Sequence, residues 1–159
     1  MSVTLWRIAC DTPDYQAHDL SGKGAEMTGG RWNRKGRPVT YCATNMALAV
    51  LETLVHFNAQ GLPLNRYLVR IEVPDDVWAS AVLQSPRTLP VGWEAIPEGQ
   101  VSLDVGDLWL QQSPSAVMIV PSAIVPEESN VLLNPRHADC ARIRAVKVRQ
   151  WRYDHRLMF

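Results

Sequence analysis

The chain has 159 residues, 47% of them apolar and 20% charged, with nine glycines and eleven prolines. That length suits one domain and that composition a globular one. Disordered, collagen-like and coiled-coil chains are excluded, and no disulfide is needed to hold a core. Sixteen basic residues balance sixteen acidic ones, so no net field draws the protein to DNA or to an anionic membrane.

Val3 to Ala9 alternates, with Val3, Leu5 and Arg7 on one side and Thr4, Trp6 and Ile8 on the other. This predicts a strand carrying an arginine on one face. Cys10 to Gly30 reads as a long polar loop containing Gly22, Gly24, Gly29 and Gly30. A loop of about twenty residues is uncommon in a compact domain unless it is functional. Pro38 to Ala43 predicts a second strand. Asn45 is then a good N-cap for a helix running to about Gln60, with Gly61 fitting its C′ stop. Tyr67 to Val73 is a strand ended by Pro74, and Pro86 to Gly99 reads as loop. Ser102 caps a short helix over Leu103–Gln112. Ser115–Val120, Asn130–Leu133 and Ile143–Trp151 complete the predicted strands. The expectation is a single α+β domain over residues 1–159, without internal repeat or linker.

Charge is uneven along the chain. Residues 1–70 carry eight Lys/Arg against five Asp/Glu, residues 71–130 one against nine, and residues 131–159 seven against two. The basic tail from Arg142 to Arg156 reads as an alternating strand with a solvated face, or as a basic wall for a polyanion or acidic partner segment. Cys10, Cys42 and Cys140 are odd in number and scattered, which favours a reducing compartment and argues against a zinc knuckle. Neither a secretory leader nor an apolar run of about 18 residues is present, so a soluble, cytoplasmic protein is expected.

Glu52 stands out. It lies inside Met46-Ala47-Leu48-Ala49-Val50-Leu51-Glu52-Thr53-Leu54-Val55-His56-Phe57, a helix apolar on nearly every side and therefore expected to be buried on most of them. An ionised carboxylate there needs a cation, a set of donors or a functional cavity. His56, at i+4, falls on the same predicted face. A structural ion pair accounts for the pattern equally well.

The second polar cluster is Gly29-Gly30-Arg31-Trp32-Asn33-Arg34-Lys35-Gly36. Glycines admit a close ligand, an arginine grips phosphate through two parallel bonds, and Trp32 or Tyr41 offers a ring for stacking. No phosphate-loop pattern and no metal-ligand spacing accompanies it. Ser122 follows Pro121 without a G-x-S-x-G elbow, and Asn134-Pro135-Arg136-His137 reads as a turn.

Taken together, several segments resemble the RES-domain toxins of bacterial RES–Xre toxin–antitoxin pairs. They are Leu5-Trp6-Arg7-Ile8, Gly29-Gly30-Arg31-Trp32-Asn33, Val39-Thr40-Tyr41-Cys42-Ala43 and Ala49-Val50-Leu51-Glu52. Further on come Gly106-Asp107-Leu108-Trp109 and Val120-Pro121-Ser122-Ala123-Ile124-Val125-Pro126. Asn130 with Leu133-Asn134-Pro135-Arg136-His137, and Tyr153-Asp154-His155-Arg156-Leu157, complete the set. The resemblance implies a twisted mixed β-sheet similar to ADP-ribosyltransferases, with flanking helices and a cleft for NAD. It further implies NAD as substrate without a metal, NAD loss with growth arrest, and an Xre-type DNA-binding antitoxin that occludes the cleft. Homodimerisation fits the family, whereas membrane association and direct nucleic-acid binding are not expected.

On this resemblance Arg31, Tyr41 and Glu52 form the catalytic set, with Arg7, Ser122, Asn134 and His56 around the ligand. The strand glutamate of most ADP-ribosyltransferases has become a helical one here. Nicotinamide leaves a cationic ring as a neutral molecule, so the transition state is oxocarbenium-like and a fixed anion near the ribose stabilises it. Glu52 is expected to supply that anion, with His56 orienting it. Arg31 and Arg7 would neutralise the diphosphate and Tyr41 would pack on the nicotinamide ring. Ser122 and Asn134 would bond the ligand from the far wall. Water, inorganic phosphate and a protein side chain are all open as acceptor, and the resemblance ranks NAD degradation ahead of protein modification. The alternative of another class is a non-catalytic nucleic-acid-binding module that grips through Arg31 and Arg142–Arg156, with Glu52 structural. The balanced net charge counts against it.

Overall fold

The computed structural model describes residues 1–57 and 63–157. Among them run seven strands: β1 (Ser2–Ala9), β2 (Thr40–Ala43), β3 (Tyr67–Pro74), β4 (Val82–Leu83), β5 (Val117–Pro121), β6 (Ser129–Leu133) and β7 (Arg144–Gln150). Four helices join them: α1 (Lys23–Thr28), α2 (Met46–Leu54), α3 (Asp75–Ala79) and α4 (Gln100–Gln112). The strands form one mixed sheet in the order β4-β5-β6-β2-β1-β3-β7. Only β4 and β5 pair in parallel; the other pairs are antiparallel. The fold is α+β.

Alternation sorts the sheet into two faces. Leu5 opposite Ile71, and Cys42 opposite Val131, point to one side. There they meet Val69, Val73, Val117 and Leu133 in the main core, all four of them fully buried. Each such side chain contributes about 1.5–3 kcal/mol by leaving water. The other face is covered in two patches. Trp32, Leu89, Trp93 and Trp109 close over Met118, Val120 and Leu132. Leu48 and Ala49 of α2, with Tyr153 of the C-terminal segment, close over Ile8, Ala43 and Leu68. The β1–β2 seam, which lies under the second patch, is held by a single register pair, Trp6 with Ala43.

Every predicted strand is present within one or two residues of its expected ends. Asn45 caps α2 as expected, its Oδ1 accepting the Leu48 N–H at 2.8 Å. That helix stops at Leu54, however, and the expected stop at Gly61 lies outside the described residues. It is also not buried on most sides: Met46, Leu51 and Val55 remain 40, 39 and 59% exposed. A nine-residue helix lying across one sheet face buries only the side that faces the strands. Ser102 does not cap α4. Gly99 does, and Ser102 sits fully buried in the first turn.

Two short helices escape the sequence reading. α1 interrupts the expected loop of residues 10–30, and α3 follows β3 directly, with Asp75 and Asp76 in its positive first turn. At five and six residues both are too short to display a helical apolar period. Gly22 precedes α1 with φ +73°, and a Cβ there would lie 2.5 Å from the Val39 backbone nitrogen, so glycine is required. No described helix is long and apolar enough to cross a membrane.

Candidate active site

α2 carries Glu52 toward the β5–β6 end of the sheet. Its Oε1 accepts two hydrogen bonds of 2.7 Å, one from the Ser122 hydroxyl and one from Asn130 Nδ2. Ser122 follows β5 and Asn130 lies in β6, so the antiparallel pairing of those strands brings both donors to one carboxylate. The Ser122 oxygen also accepts the Ile124 and Val125 N–H groups, at 3.0 and 3.1 Å. A hydroxyl has one proton and two acceptor positions, so the proton of Ser122 is directed at Glu52. Among the described residues Oε2 has no hydrogen-bond partner. The half-buried carboxylate is thus satisfied by donors, one of the options its apolar helix demanded.

Arg31 lies in a tight turn closed by the Gly30 N–H bonding to the Asn33 carbonyl at 3.0 Å. Its Nη1 donates to the carbonyls of Trp93 and Ala95, at 3.0 and 2.9 Å. No carboxylate among the described residues pairs with it, whereas Arg34 and Arg37 both pair with Asp107. Tyr41 supports this turn from β2. Its hydroxyl donates to Asn33 Oδ1 at 2.6 Å and accepts the Trp32 N–H at 3.0 Å. Burial pushes that hydroxyl above the usual phenol range. A Cβ on Gly30 would lie 2.8 Å from the same oxygen, so glycine lets the turn rest on the tyrosine. The Tyr41 hydroxyl is a structural pin, and its ring is what it can offer a ligand.

Four expected positions are placed differently. Ser122 is fully buried with its hydroxyl saturated, so it orients Glu52 instead of bonding a ligand. His56 does not orient the glutamate: α2 ends at Leu54, and His56 lies exposed beyond the helix with its N–H on the Thr53 carbonyl. Asn134 follows the far end of β6, roughly 13 Å of strand from Asn130. It bonds the Ser113 hydroxyl and the Arg136 N–H there, and holds a turn.

Arg7 is not brought to Glu52 or Arg31 either. It shares its sheet face with Leu5 and Val69, opposite Tyr41 and Asn130, because alternation from the Trp6–Ala43 pair fixes both faces. Its Nη1 reaches the Tyr41 carbonyl at 3.3 Å, and its buried Nε has no hydrogen-bond partner among the described residues. Burial pulls its pKa below the usual guanidinium value. Burial also pushes the neighbouring Cys42 thiol up to about 12, so no thiolate offsets that charge.

Asn130 is the residue the sequence reading missed at this site. The available signal was a poor strand former heading the apolar run Val131-Leu132-Leu133. Two surface recesses, of about 440 and 400 Å³, lie elsewhere. One is lined by Lys23, Glu26 and Arg136, the other by Arg34, Asp104 and Asp107.

The assembled elements, from β1 through the turn after β7, coincide with a known pattern: residues 4–156 match the family described as RES domain. The chain belongs to the RES family. Among its RES relatives, a protein of Sphingobium sp. named "Prs ADP-ribosylating toxin" is 56% identical over 158 residues, covering 99% of this chain and 98% of the relative. A "Toxin Res" of Yersinia enterocolitica is 41% identical over 77% of this chain and 79% of its own length. A "Toxin Res" of Pseudomonas putida is 39% identical over 96% of this chain and 98% of its own length.

Proposed function

We propose that this RES protein is a toxin enzyme that cleaves the nicotinamide–ribose bond of NAD and passes the ADP-ribose to a protein acceptor. The observation that carries the reading is the Glu52 carboxylate, anchored through Oε1 by Ser122 and Asn130 with Oε2 left for a ligand. An anion pre-oriented in this way stabilises positive charge developing on a ribose without reorganising during the reaction. The C1′–N bond breaks with its electron pair leaving on nicotinamide. The acceptor nucleophile then bonds C1′ and releases its proton. Arg31, bound to two carbonyls and to no described carboxylate, is suited to hold the diphosphate. The Tyr41 ring, half-buried against the Trp32–Trp93 cluster, would pack on the nicotinamide.

Protein modification takes first place over NAD degradation because the Sphingobium relative, similar over nearly the full length of both chains, is named for ADP-ribosylating Prs. Prs is accordingly the acceptor to try first. The test incubates the purified protein with labelled NAD and Prs, with and without inorganic phosphate. Label on the Prs band supports transfer. Label confined to free ADP-ribose or its phosphate ester moves the reading to hydrolysis or phosphorolysis, and absence of nicotinamide release overturns both.

An enzyme that consumes NAD or modifies a host protein must be held inactive during growth. We extend the proposal to an Xre-type antitoxin that occludes the site. Co-expression with the adjacent reading frame is expected to relieve growth arrest, and persistent arrest would remove that partner.

A further inference from the structure

We propose that Asp107, on α4, is a positioning residue that sets Arg31 from behind, an inference that rests on reading Arg31 as the group that grips the NAD diphosphate. Asp107 is almost fully buried, yet it faces a loop carrying Arg31, Arg34, Lys35 and Arg37. One of its oxygens accepts the Arg34 backbone N–H at 3.1 Å, and the other accepts Arg34 Nη1 at 2.7 Å. Arg37 Nε lies 3.6 Å from the first oxygen. A single carboxylate therefore fixes both the main chain and the side chain of Arg34 and lies within ion-pair distance of two of the loop's four cations, Arg34 and Arg37.

The adjacent residue makes the attachment rigid. A Cβ on Gly106 would lie 1.7 Å from the Trp32 carbonyl oxygen, so α4 lies directly against the backbone of the turn. Only a hydrogen fits there. Trp32 is thus held at its carbonyl by Gly106, at its N–H by Tyr41, and through its ring by Trp93, 6.3 Å away and stacked. Arg31 precedes it in the four-residue turn Gly30–Asn33, and Arg34 follows that turn. Movement at Arg34 is transmitted to Arg31 because the intervening backbone has no slack.

Asp107 also decides which arginine faces a ligand. With Arg34 and Arg37 paired to α4, Arg31 is the loop guanidinium without a described carboxylate partner. Releasing Asp107 frees Arg37, leaves Arg34 tethered by its side chain to Asp104 alone at 2.7 Å, and loosens the arginine that is aimed.

The test is a double-mutant cycle on the full chain in the Glu52→Gln background, read as the Kd for NAD by calorimetry. Asp107→Ala is expected to weaken NAD about tenfold when Arg31 is intact and less than about twofold on top of Arg31→Ala. A merely structural role would lower the binding-competent fraction equally in both backgrounds, with the Kd unchanged. Such a result, or a Kd within about twofold of the parent with Arg31 intact, overturns the proposal. If Asp107→Ala fails to fold, Asp107→Asn runs the same cycle, since it keeps an oxygen for the Arg34 N–H. Near-ultraviolet circular dichroism of the Trp32–Trp93 stack supplies a readout without NAD: the couplet is expected to weaken in Asp107→Ala. Failure of the functional reading looks different, because the parent itself then binds no NAD, or binds it equally well as Arg31→Ala.

Discussion

The Ser122 hydroxyl and Glu52 Oε1 lie 2.7 Å apart, and the hydroxyl's only proton is committed to that bond by two backbone donors on its oxygen. Asn130 donates to the same oxygen at the same distance. The carboxylate is therefore fixed in rotation, with its plane set from one side. Ser122→Ala and Asn130→Ala each remove one of these restraints. Each is expected to lower kcat by about 10–100-fold while the Kd for NAD changes little, because orientation of a charge matters most in the transition state. Steady-state kinetics beside calorimetry checks this, and a change confined to KM would contradict it.

Glu52→Gln tests the charge apart from the shape. The amide is isosteric and keeps an oxygen for Ser122 and Asn130, so the fold and NAD binding are expected to persist. Nicotinamide release should fall by about 10²–10³-fold or more, the scale of losing one well-placed electrostatic group. Undiminished release by this variant would take Glu52 out of the mechanism.

Tyr41→Phe separates pin from platform. Removing the hydroxyl leaves the buried Asn33 side chain and the Trp32 N–H each short of a partner. A loss of about 1–3 kcal/mol in stability is expected, measured by urea unfolding. The ring remains, so residual NAD binding in the folded fraction is expected to stay close to wild type. Collapse of binding without loss of stability would assign the hydroxyl to the ligand.

The loop that begins at Asp11 is tied to β7 by charge. Asp11 accepts Lys147 Nζ at 2.9 and 2.8 Å and the Ala17 N–H at 2.8 Å. The Lys147 hydrogen bond, followed by that of Ala17, holds the Asp11 carboxyl below its usual range. A depressed folded pKa means the stabilisation is present above the unfolded value and is lost as pH falls through the folded one. Lys147→Met is therefore expected to lower the thermal midpoint near neutral pH, the difference shrinking as the solution is acidified below the ordinary carboxylate range. A difference that persists undiminished in acid would assign the effect to packing of Lys147 on Tyr67.

Six of the seven described strands, the Asn45 cap and the conspicuous acid of α2 were legible in the sequence, because these depend on alternation, local capping and the cost of a charge among apolar neighbours. The two-residue β4 is too short to show alternation. The sequence also singled out Gly30-Arg31 and Tyr41, and in the folded chain the Tyr41 hydroxyl on β2 pins the turn that carries Arg31. The partners of Glu52 were decided only in three dimensions. Ser122 and Asn130 lie 70 and 78 residues away along the chain, and strand pairing brings them together. His56 was misplaced because i+4 proximity holds only while a helix continues, and this one ends at Leu54. Arg7 was misplaced for a related reason: periodicity puts it on a face of β1, but only the register with β2 tells which face Tyr41 and Asn130 occupy. Local energetics chooses elements and flags costly residues, whereas long-range pairing chooses who satisfies them.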